Sequence, residues 1–211
     1  MPVIFVRLAL CLGAMAVANA QDKPDKPNTL TPAEKAGGWR LLFDGKTLAG
    51  WDPRPTFSAS TNGDWTVENG AIMCPGATAG WLATNEAFSD FHLKLQFRGS
   101  GTVNSGVFLR SQKQGQPHVT GYELQIWDYQ PAGYNTGSLV GTVKAPPTKI
   151  LPDQWNSYDI TADGDHYAII LNGTKLLDAR DAAHLSGVIG FQCQINNKIE
   201  FRNIRLLPNH H

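Results

Sequence analysis

Neither sign of charge is in excess in this chain of 211 residues, which has 18 lysines and arginines against 18 aspartates and glutamates. Charged residues make up only 17% of the sequence. A chain without a basic surplus lacks the electrostatic footprint that attracts nucleic acid or an anionic membrane. The composition therefore argues against nucleic acid as a partner.

Cysteine is scarce as well, with three in the sequence. Cys11 lies in an apolar segment near the N-terminus, which leaves Cys74 and Cys193 for the rest of the chain. Two cysteines are too few for a zinc site of the CxxC type. Export would allow them to form a disulfide, but the sequence leaves open whether they pair or stay two buried thiols.

Long hydrophobic runs are missing after the first twenty residues. Arg7 precedes an apolar stretch that ends at Ala18-Asn19-Ala20, a small-x-small cleavage pattern. This arrangement is typical of a secretory signal peptide over residues 1–20, and it is shorter than the roughly 20 apolar residues of a membrane span. We therefore expect an exported protein, periplasmic or extracellular, with no membrane anchor in its mature form.

Several catalytic motifs are also missing. The sequence has no GxSxG elbow, no HExxH, no P-loop and no zinc-ligand spacing. Glu123 and Asp128 are five residues apart, so on an unbroken strand they would face opposite sides of the sheet. A glycosidase mechanism that uses two carboxylates at a set separation is therefore poorly supported.

Turn signals and short alternating segments are what the sequence does contain. Residues 21–36 form a polar, proline-containing tether in which Thr31 to Glu34 (TPAE) predicts a capping box and a short helix. Asn69-Gly70 and Asn172-Gly173 predict β-hairpins. Residues 91–98 (FHLKLQFR) alternate strictly between apolar and polar side chains, as a half-buried strand does.

Many short strands and no helical periodicity after Gly38 predict an all-β domain over residues 37–208. About 170 residues are many for an immunoglobulin-type domain, and they suit a larger fold better. We predict an antiparallel jelly-roll sandwich of two sheets, preceded by a short N-terminal helix.

Strand alternation also predicts a polar face outside the core. If the Val107/Leu109 and Leu124/Ile126 faces point into the sandwich, the opposite faces carry a mixed set of aromatic and polar side chains. These are Phe108, Arg110, Glu123, Gln125 and Trp127. Such a set suits sugar binding, since rings cover C–H faces and forked polar groups bind hydroxyls. The alternative is an ordinary cross-strand ion pair on a solvated face.

A long loop over residues 128–149 follows this strand and contains Tyr134. Long loops in compact domains usually have a function.

Ordered blocks of sequence run through residues 38–207: 38–51 (GWRLLFDGKTLAGW), 104–110 (NSGVFLR), 121–128 (GYELQIWD), 136–139 (TGSL), 155–158 (WNSY), 171–173 (LNG), 187–192 (GVIGFQ) and 201–205 (FRNIR). In wording and order, these blocks resemble the 3-keto-disaccharide hydrolase domain family. Many relatives carry Asp/Asn-His-Gly after the glutamine that ends the block 187–192, whereas this chain has residues 193–196 (CQIN) and no histidine there.

The resemblance implies a concanavalin-A-like jelly roll in an exported bacterial protein that acts on an oxidised sugar, a glycoside with a ketone at C3. The ketone acidifies the C2–H, so a base can form an enolate, the C1 substituent leaves, and water adds back. Matched motif positions make Glu123 the candidate base and Arg110 the candidate charge stabiliser. The candidate hydroxyl-binding and stacking residues are Asn104, Gln125, Asp128, Trp127 and Tyr134, in addition to Phe108.

No cofactor is predicted. A divalent metal could replace or assist Arg110, but the sequence shows no ligand set for it. Two other functions remain open on the same fold: a non-catalytic carbohydrate-binding module or lectin, and a structural cell-surface domain without a site.

Overall fold

The computed structural model describes residues 26–56 and 60–209. The predicted signal peptide over residues 1–20 and the start of the tether lie outside this part. Two short helices are present, α1 (Pro32–Ala36) and α2 (Pro117–Thr120). The strands are β1 (Arg40–Leu41), β2 (Trp51–Arg54), β3 (Thr66–Glu68), β4 (Ala71–Cys74), β5 (Gly80–Phe88), β6 (Phe91–Gly99), β7 (Ser105–Ser111), β8 (Tyr122–Ile126), β9 (Asn156–Asp163), β10 (His166–Leu171), β11 (Thr174–Arg180), β12 (Gly187–Cys193) and β13 (Ile199–Pro208).

The strands form two antiparallel sheets, which confirms the predicted sandwich. One sheet has eight strands in the order β11-β10-β9-β6-β13-β4-β3, with β1 paired to β13. The other has five strands in the order β2-β5-β12-β7-β8. The predicted helix is present as α1, and Thr31 and Glu34 form its capping box.

The local signals that predict these elements have clear counterparts. Asn69 (φ 50°) and Gly70 (φ 74°) connect β3 to β4, and Asn172 (φ 49°) and Gly173 (φ 82°) connect β10 to β11. Two consecutive left-handed residues are what a tight hairpin turn with the right twist requires. Both predicted hairpins are therefore confirmed.

The core lies between the sheets and follows strand alternation. Along β6, the apolar residues are buried and the polar residues between them are half-buried. The buried set is Phe91, Leu93, Leu95 and Phe97. The five-stranded sheet contributes Leu82, Val107, Leu124 and Phe191 to the same cluster.

Cys74 and Cys193 form a disulfide with their Cα atoms 5.9 Å apart. Cys74 ends β4 of the eight-stranded sheet, and Cys193 ends β12 of the five-stranded sheet. The disulfide therefore ties the two sheets together and answers the question that the sequence left open.

Two elements differ from the sequence-based expectation. Residues 39–43 (WRLLF), whose apolar and aromatic composition predicts a strand, are regular only over β1. Helix α2 was not predicted, because four residues are too few to show a helical period. Within residues 26–56 and 60–209, no helix has the length and apolarity to cross a membrane.

Candidate functional site

Glu123 lies on the face of β8 that points away from the sandwich core, as strand alternation predicts. Its neighbour Leu124 belongs to the core, and Glu123 is opposite Phe108 of β7 in the sheet register. Despite this outward position, only 7% of Glu123 is exposed. A carboxylate on the outer face of a sheet is thus covered by other parts of the chain.

The outer face around Glu123 is built from three further strands. Phe108 pairs with Gly190 of β12, which in turn pairs with Ala83 of β5. Trp81, two residues before Ala83 and thus on the same face, packs edge-on against Phe108 with the ring centroids 5.6 Å apart. These apolar residues form a small second cluster that is separate from the main core.

Glycine at position 106 makes room for the Glu123 side chain. Gly106 lies next to Glu123 on the outer face, and a Cβ there would be only 2.8 Å from Glu123 Oε1. The backbone of β7 thus approaches the carboxylate closely. Any larger residue at position 106 would push the carboxylate away from its position.

The Glu123 carboxylate has no hydrogen-bond or ion-pair partner among the residues that the structure describes. Burial without compensation destabilises the ionised form and raises the pKa of Glu123 to about 7. A carboxylate held unpaired in a covered site is a typical feature of a general base, because its pKa is close to neutral pH.

A cavity of about 130 Å³ lies on the same face of the sheet, where Phe108, the register partner of Glu123, is part of its wall while Glu123 itself is not. Phe108 contributes to its lining, and the segments over the sheet contribute Thr56 and the first residues of α2. The full lining is Thr56, Phe108, Gln116, Pro117, His118, Gln192 and Gln194. The volume is small, of the order of one monosaccharide ring.

Two lining residues have buried polar atoms without a partner. Gln192 Oε1 and Thr56 Oγ1 are shielded from solvent, and neither makes a hydrogen bond to the described residues. An unsatisfied buried polar atom costs about 1–3 kcal/mol, so such atoms usually mark a bound water or ligand group. Both atoms lie in residues of the cavity wall, so each could pair there with a water or with a polar group of a ligand.

His118 is the titratable residue in this lining. Partial burial lowers the pKa of the His118 imidazole. The ring is therefore neutral at neutral pH, when it can accept or donate one hydrogen bond through each nitrogen.

Arg110 does not lie on this face, so the expectation that it accompanies Glu123 is wrong. Leu109 and Arg110 of β7 together oppose the single residue Ile189 of β12, and Arg110 has φ 54°. This β-bulge turns the side chain out of the alternation that Phe108 begins.

The Arg110 guanidinium is fully buried and saturated at one end of the sandwich. It forms an ion pair with Asp90 at 2.8 Å and donates to the Tyr167 hydroxyl at 2.8 Å. Its other acceptors are the backbone oxygens of Ser89, Gly164 and His184. With every donor nitrogen engaged in holding loops together, Arg110 is not available to stabilise charge beside Glu123.

Asp128 and Gln125, two predicted hydroxyl-binding residues, are also engaged within the protein. Asp128 accepts a hydrogen bond from the Thr136 hydroxyl at 2.6 Å and from the Ile150 amide, and so fixes both ends of the long loop. Gln125 lies on the same face as Glu123 but is 4% exposed, and its Oε1 accepts from the Ile126 amide.

The remaining predicted residues lie around the sheet rather than in the cavity lining. Asn104 precedes β7, is half-buried, and donates its backbone N–H to Asn197 Oδ1 at 2.7 Å. Trp127 follows β8 and is half-buried. Tyr134 lies in the long loop, with Lys144 Nζ 5.0 Å from its ring centroid. Their predicted role in binding sugar stays a prediction.

Metal ligands are sparse in the described part of the chain. The group of side chains close enough to share an ion there is Asp64 with Cys74 and Cys193. The two sulfurs are joined in the disulfide, so neither is a thiolate that could bind a metal. Glu123 does not belong to such a group.

Seven residues of this face and its cavity were not identified from the sequence: Thr56, Trp81, Gln116, Pro117, His118, Gln192 and Gln194. Trp81 and Gln192 face outward by alternation in β5 and β12, so parity analysis extended to these strands would have found them. His118 and Thr56 lie outside the sheet, and no local pattern shows that they fold over it.

The fold and the site together define a jelly-roll protein with a covered carboxylate and a small polar cavity on one sheet. Residues 38–207 match the 3-keto-α-glucoside-1,2-lyase-like domain, and the chain belongs to this family. The family places it among glycosyl-hydrolase-like proteins. The resemblance seen in the sequence blocks is thus confirmed.

A curated relative, a 3-keto-disaccharide hydrolase of Bacteroides thetaiotaomicron, is 30% identical over 86 residues. This match covers 37% of the chain and 29% of the relative, so most of that longer protein has no counterpart in the match.

Two solved structures show the same fold. A protein of Parabacteroides distasonis, described as a candidate glycosyl hydrolase, superposes with a TM-score of 0.75 at 23% identity, covering 88% of this chain and 100% of that one. Carbohydrate-binding module CBM66 of Bacillus subtilis superposes with a TM-score of 0.54 at 16% identity, covering 80% and 94%.

Proposed function

We propose that the protein is an enzyme that cleaves the glycosidic bond of 3-keto glycosides, with Glu123 as the base that removes the C2 proton. The observation that carries the proposal is the unpaired, buried carboxylate with a pKa of about 7, whose register partner Phe108 lines a cavity of one-ring size on the same sheet face. The family to which the chain belongs supports the same substrate class.

The chemistry requires little from the protein. The Glu123 carboxylate takes the C2 proton, and the electron pair of the C2–H bond moves toward the C3 oxygen to form an enolate. As the enolate collapses, the C1–O bond breaks, the leaving oxygen takes a proton, and a C1–C2 double bond remains. Water then adds across that bond and completes net hydrolysis.

With Arg110 engaged elsewhere, other groups would stabilise the enolate. The amides of Gln192 and Gln194 line the cavity and carry N–H donors, which favour a developing oxyanion. His118 lies in the same lining and, as a neutral imidazole, can donate a hydrogen bond to the leaving oxygen. Thr56 and Gln192 would bind the hydroxyl groups of the ring through their unpartnered atoms.

A chemically oxidised 3-keto glucoside and its parent glucoside distinguish this reaction from ordinary hydrolysis. We expect release of the aglycone from the keto sugar alone. Glu123→Gln should lower kcat/KM for that release at least 10²-fold, because loss of a general base typically costs 10²–10⁴-fold. Glu68→Gln, on the exposed surface of β3, is the matched control and should leave the rate unchanged.

Equal release from the two sugars, or full activity of Glu123→Gln, would refute the proposal. Tight binding of unmodified glycans without release would instead support the second candidate, a carbohydrate-binding module. The solved structure of CBM66, which shares this fold, favours that alternative.

Export through the signal peptide is part of the proposal. The Cys74–Cys193 disulfide supports it, since structural disulfides persist in oxidising compartments. N-terminal sequencing of the protein from the periplasm or medium of its bacterial host should find Gln21 as the first residue. Recovery in the cytoplasm with Met1 intact would contradict it.

A further inference from the structure

A second hollow, larger than the cavity that Phe108 lines, lies on the other sheet. A groove of about 590 Å³ lies on the outer face of the eight-stranded sheet, on the opposite side of the sandwich. Its central strands are β13, β6 and β9, where Arg202, Gln96 and Ser157 lie side by side in register. The next row of the same face is formed by Arg205, Lys94 and Asp159.

Most of the charges on this face are paired. Glu200 holds Arg98 through two hydrogen bonds of 2.7 and 2.9 Å. Glu34 pairs with Arg205 at 2.6 Å, and Asp159 pairs with Lys94 at 3.5 Å. Arg98, Arg205 and Lys94 thus each have a carboxylate partner.

Arg202 is the exception within the described residues. Its Nε donates to Gln96 Oε1 at 2.9 Å, and its guanidinium carbon is 3.9 Å from the centroid of the Trp155 ring. These contacts fix the orientation of the guanidinium but leave its two terminal nitrogens without an acceptor in this part of the chain. A rigid fork of free N–H donors matches the geometry of a carboxylate.

The surroundings of Arg202 make a negative ligand favourable. Burial and the nearby charge of Arg98 both lower the pKa of Arg202, because they destabilise its cationic form. The charge of Glu200 acts in the opposite direction, but that carboxylate is already hydrogen-bonded to Arg98. One positive charge is therefore left over in the groove, and a bound anion would compensate it.

The rest of the lining can bind hydroxyl groups. Ser157 Oγ has no hydrogen-bond partner among the described residues, and Gln96 uses its Oε1 for Arg202 and Asn203 but leaves its Nε2 free. A groove of 590 Å³ has room for two or more sugar rings, in contrast to the small cavity that Phe108 lines. The combination of one fixed guanidinium and several hydroxyl-binding groups is what an acidic sugar requires.

We propose that this groove is a second saccharide-binding site, which takes an oligosaccharide that bears a carboxylate and holds that carboxylate on Arg202. The site is independent of the proposed reaction at Glu123, because the two lie on opposite sheets. It would hold an acidic polymer or oligosaccharide against the protein while the other face remains free.

Calorimetric titration of the full mature chain tests the proposal with digalacturonate as the probe and cellobiose as its neutral counterpart. We expect digalacturonate to bind at least tenfold more tightly than cellobiose, and higher salt should weaken only the acidic ligand. Arg202→Gln should weaken digalacturonate binding at least tenfold. Arg180→Gln, an exposed arginine of β11 in the same sheet, is the matched control and should have no effect.

Two further variants separate the possible outcomes. Ser157→Asp, at a half-buried position on the outer face, places a carboxylate in the groove without removing a packed side chain and should also weaken the acidic ligand. Glu123→Gln should leave binding unchanged, so failure of the proposed reaction would not affect this result. Equal affinity for the two disaccharides, unchanged binding to Arg202→Gln, or equal competition by acetate would overturn the proposal.

Discussion

Glu123 illustrates how a single functional side chain reduces stability. Its carboxylate is covered by the chain but has no hydrogen-bond donor among the described residues to compensate the lost hydration. Natural proteins tolerate such groups where function requires them, and replacing them often increases stability. Substitution of Glu123 should therefore change the stability of the protein as well as its turnover.

The stability of the protein should fall between pH 5 and pH 8 relative to that of Glu123→Gln. The pKa of Glu123 is 4.5 in an unperturbed chain and about 7 in the folded state, so the folded protein binds the extra proton in this window. At about 1.4 kcal/mol per pKa unit, ionising the buried group costs about 3 kcal/mol above pH 7, and nothing below pH 4.5.

Urea unfolding of the two proteins at pH 5 and at pH 8 measures this difference. The free energy of unfolding of Glu123→Gln should increase relative to that of the wild type as the pH rises, whatever the difference between the two proteins at pH 5. A difference that stays constant with pH would mean that Glu123 is paired or solvated in the folded state.

At the scale of the element, the β-bulge in β7 decides which side chains reach the site. Up to Phe108, the side chains of β7 alternate between the core face and the outer face. Beyond the bulge at Leu109–Arg110, this alternation is shifted by one residue. Bulges are common next to functional sites because they redirect side chains. Here the bulge directs Arg110 to the end of the sandwich, and no basic residue of the described chain pairs with Glu123.

Arg110→Lys should destabilise the fold by about 3–5 kcal/mol, the usual cost of disrupting a buried ion pair. A lysine has three donors on a single nitrogen and cannot reach the five acceptors that hold Arg110. Thermal unfolding measures the loss. Turnover of the folded fraction at low temperature should remain close to that of the wild type.

The alternative role gives the opposite result. If Arg110 stabilised the enolate, Arg110→Lys would lower kcat while the protein remained folded with an unchanged Tm. Measuring the Tm and the turnover of the same sample distinguishes the structural role from the catalytic one.

At the scale of the whole molecule, the two sheets present different faces to solvent. The five-stranded sheet carries the cavity that Phe108 lines under a partial cover that includes α2, and the eight-stranded sheet carries the open groove around Arg202. The core and the Cys74–Cys193 disulfide hold these two layers in register. Cys193 is adjacent in β12 to Gln192, a wall residue of the cavity, so the disulfide also supports the site.

Reduction of the disulfide should destabilise the protein by about 2–5 kcal/mol, because a closed loop with a sequence separation of 119 residues becomes free in the unfolded chain. Denaturant unfolding with and without a reductant measures the change. Cys74→Ala/Cys193→Ala provides the control, since its stability should not respond to reductant. An unchanged midpoint in fully reduced wild type would contradict the expectation.

Particular residues show how far the sequence could lead. The alternation of β6, the two Asn-Gly hairpins and the capping box of α1 are local patterns, and each specifies its element without knowledge of the partners. The outward face of Glu123 also follows from alternation. Arg110 could not be placed in this way, because the bulge depends on pairing with β12, which is about 80 residues away in the sequence.

By itself, the sequence determined the two-sheet fold, its hairpins, its family and the outward direction of Glu123, because backbone pleating and turn geometry are properties of neighbouring residues. The tertiary structure alone decided that Arg110 is a structural residue and that Cys74 meets Cys193. It also decided that, among the described residues, Glu123 is buried without a partner and Arg202 has no carboxylate paired with it. Burial, pairing and the local electrostatic field depend on segments brought together from distant parts of the chain, and no local pattern carries that information.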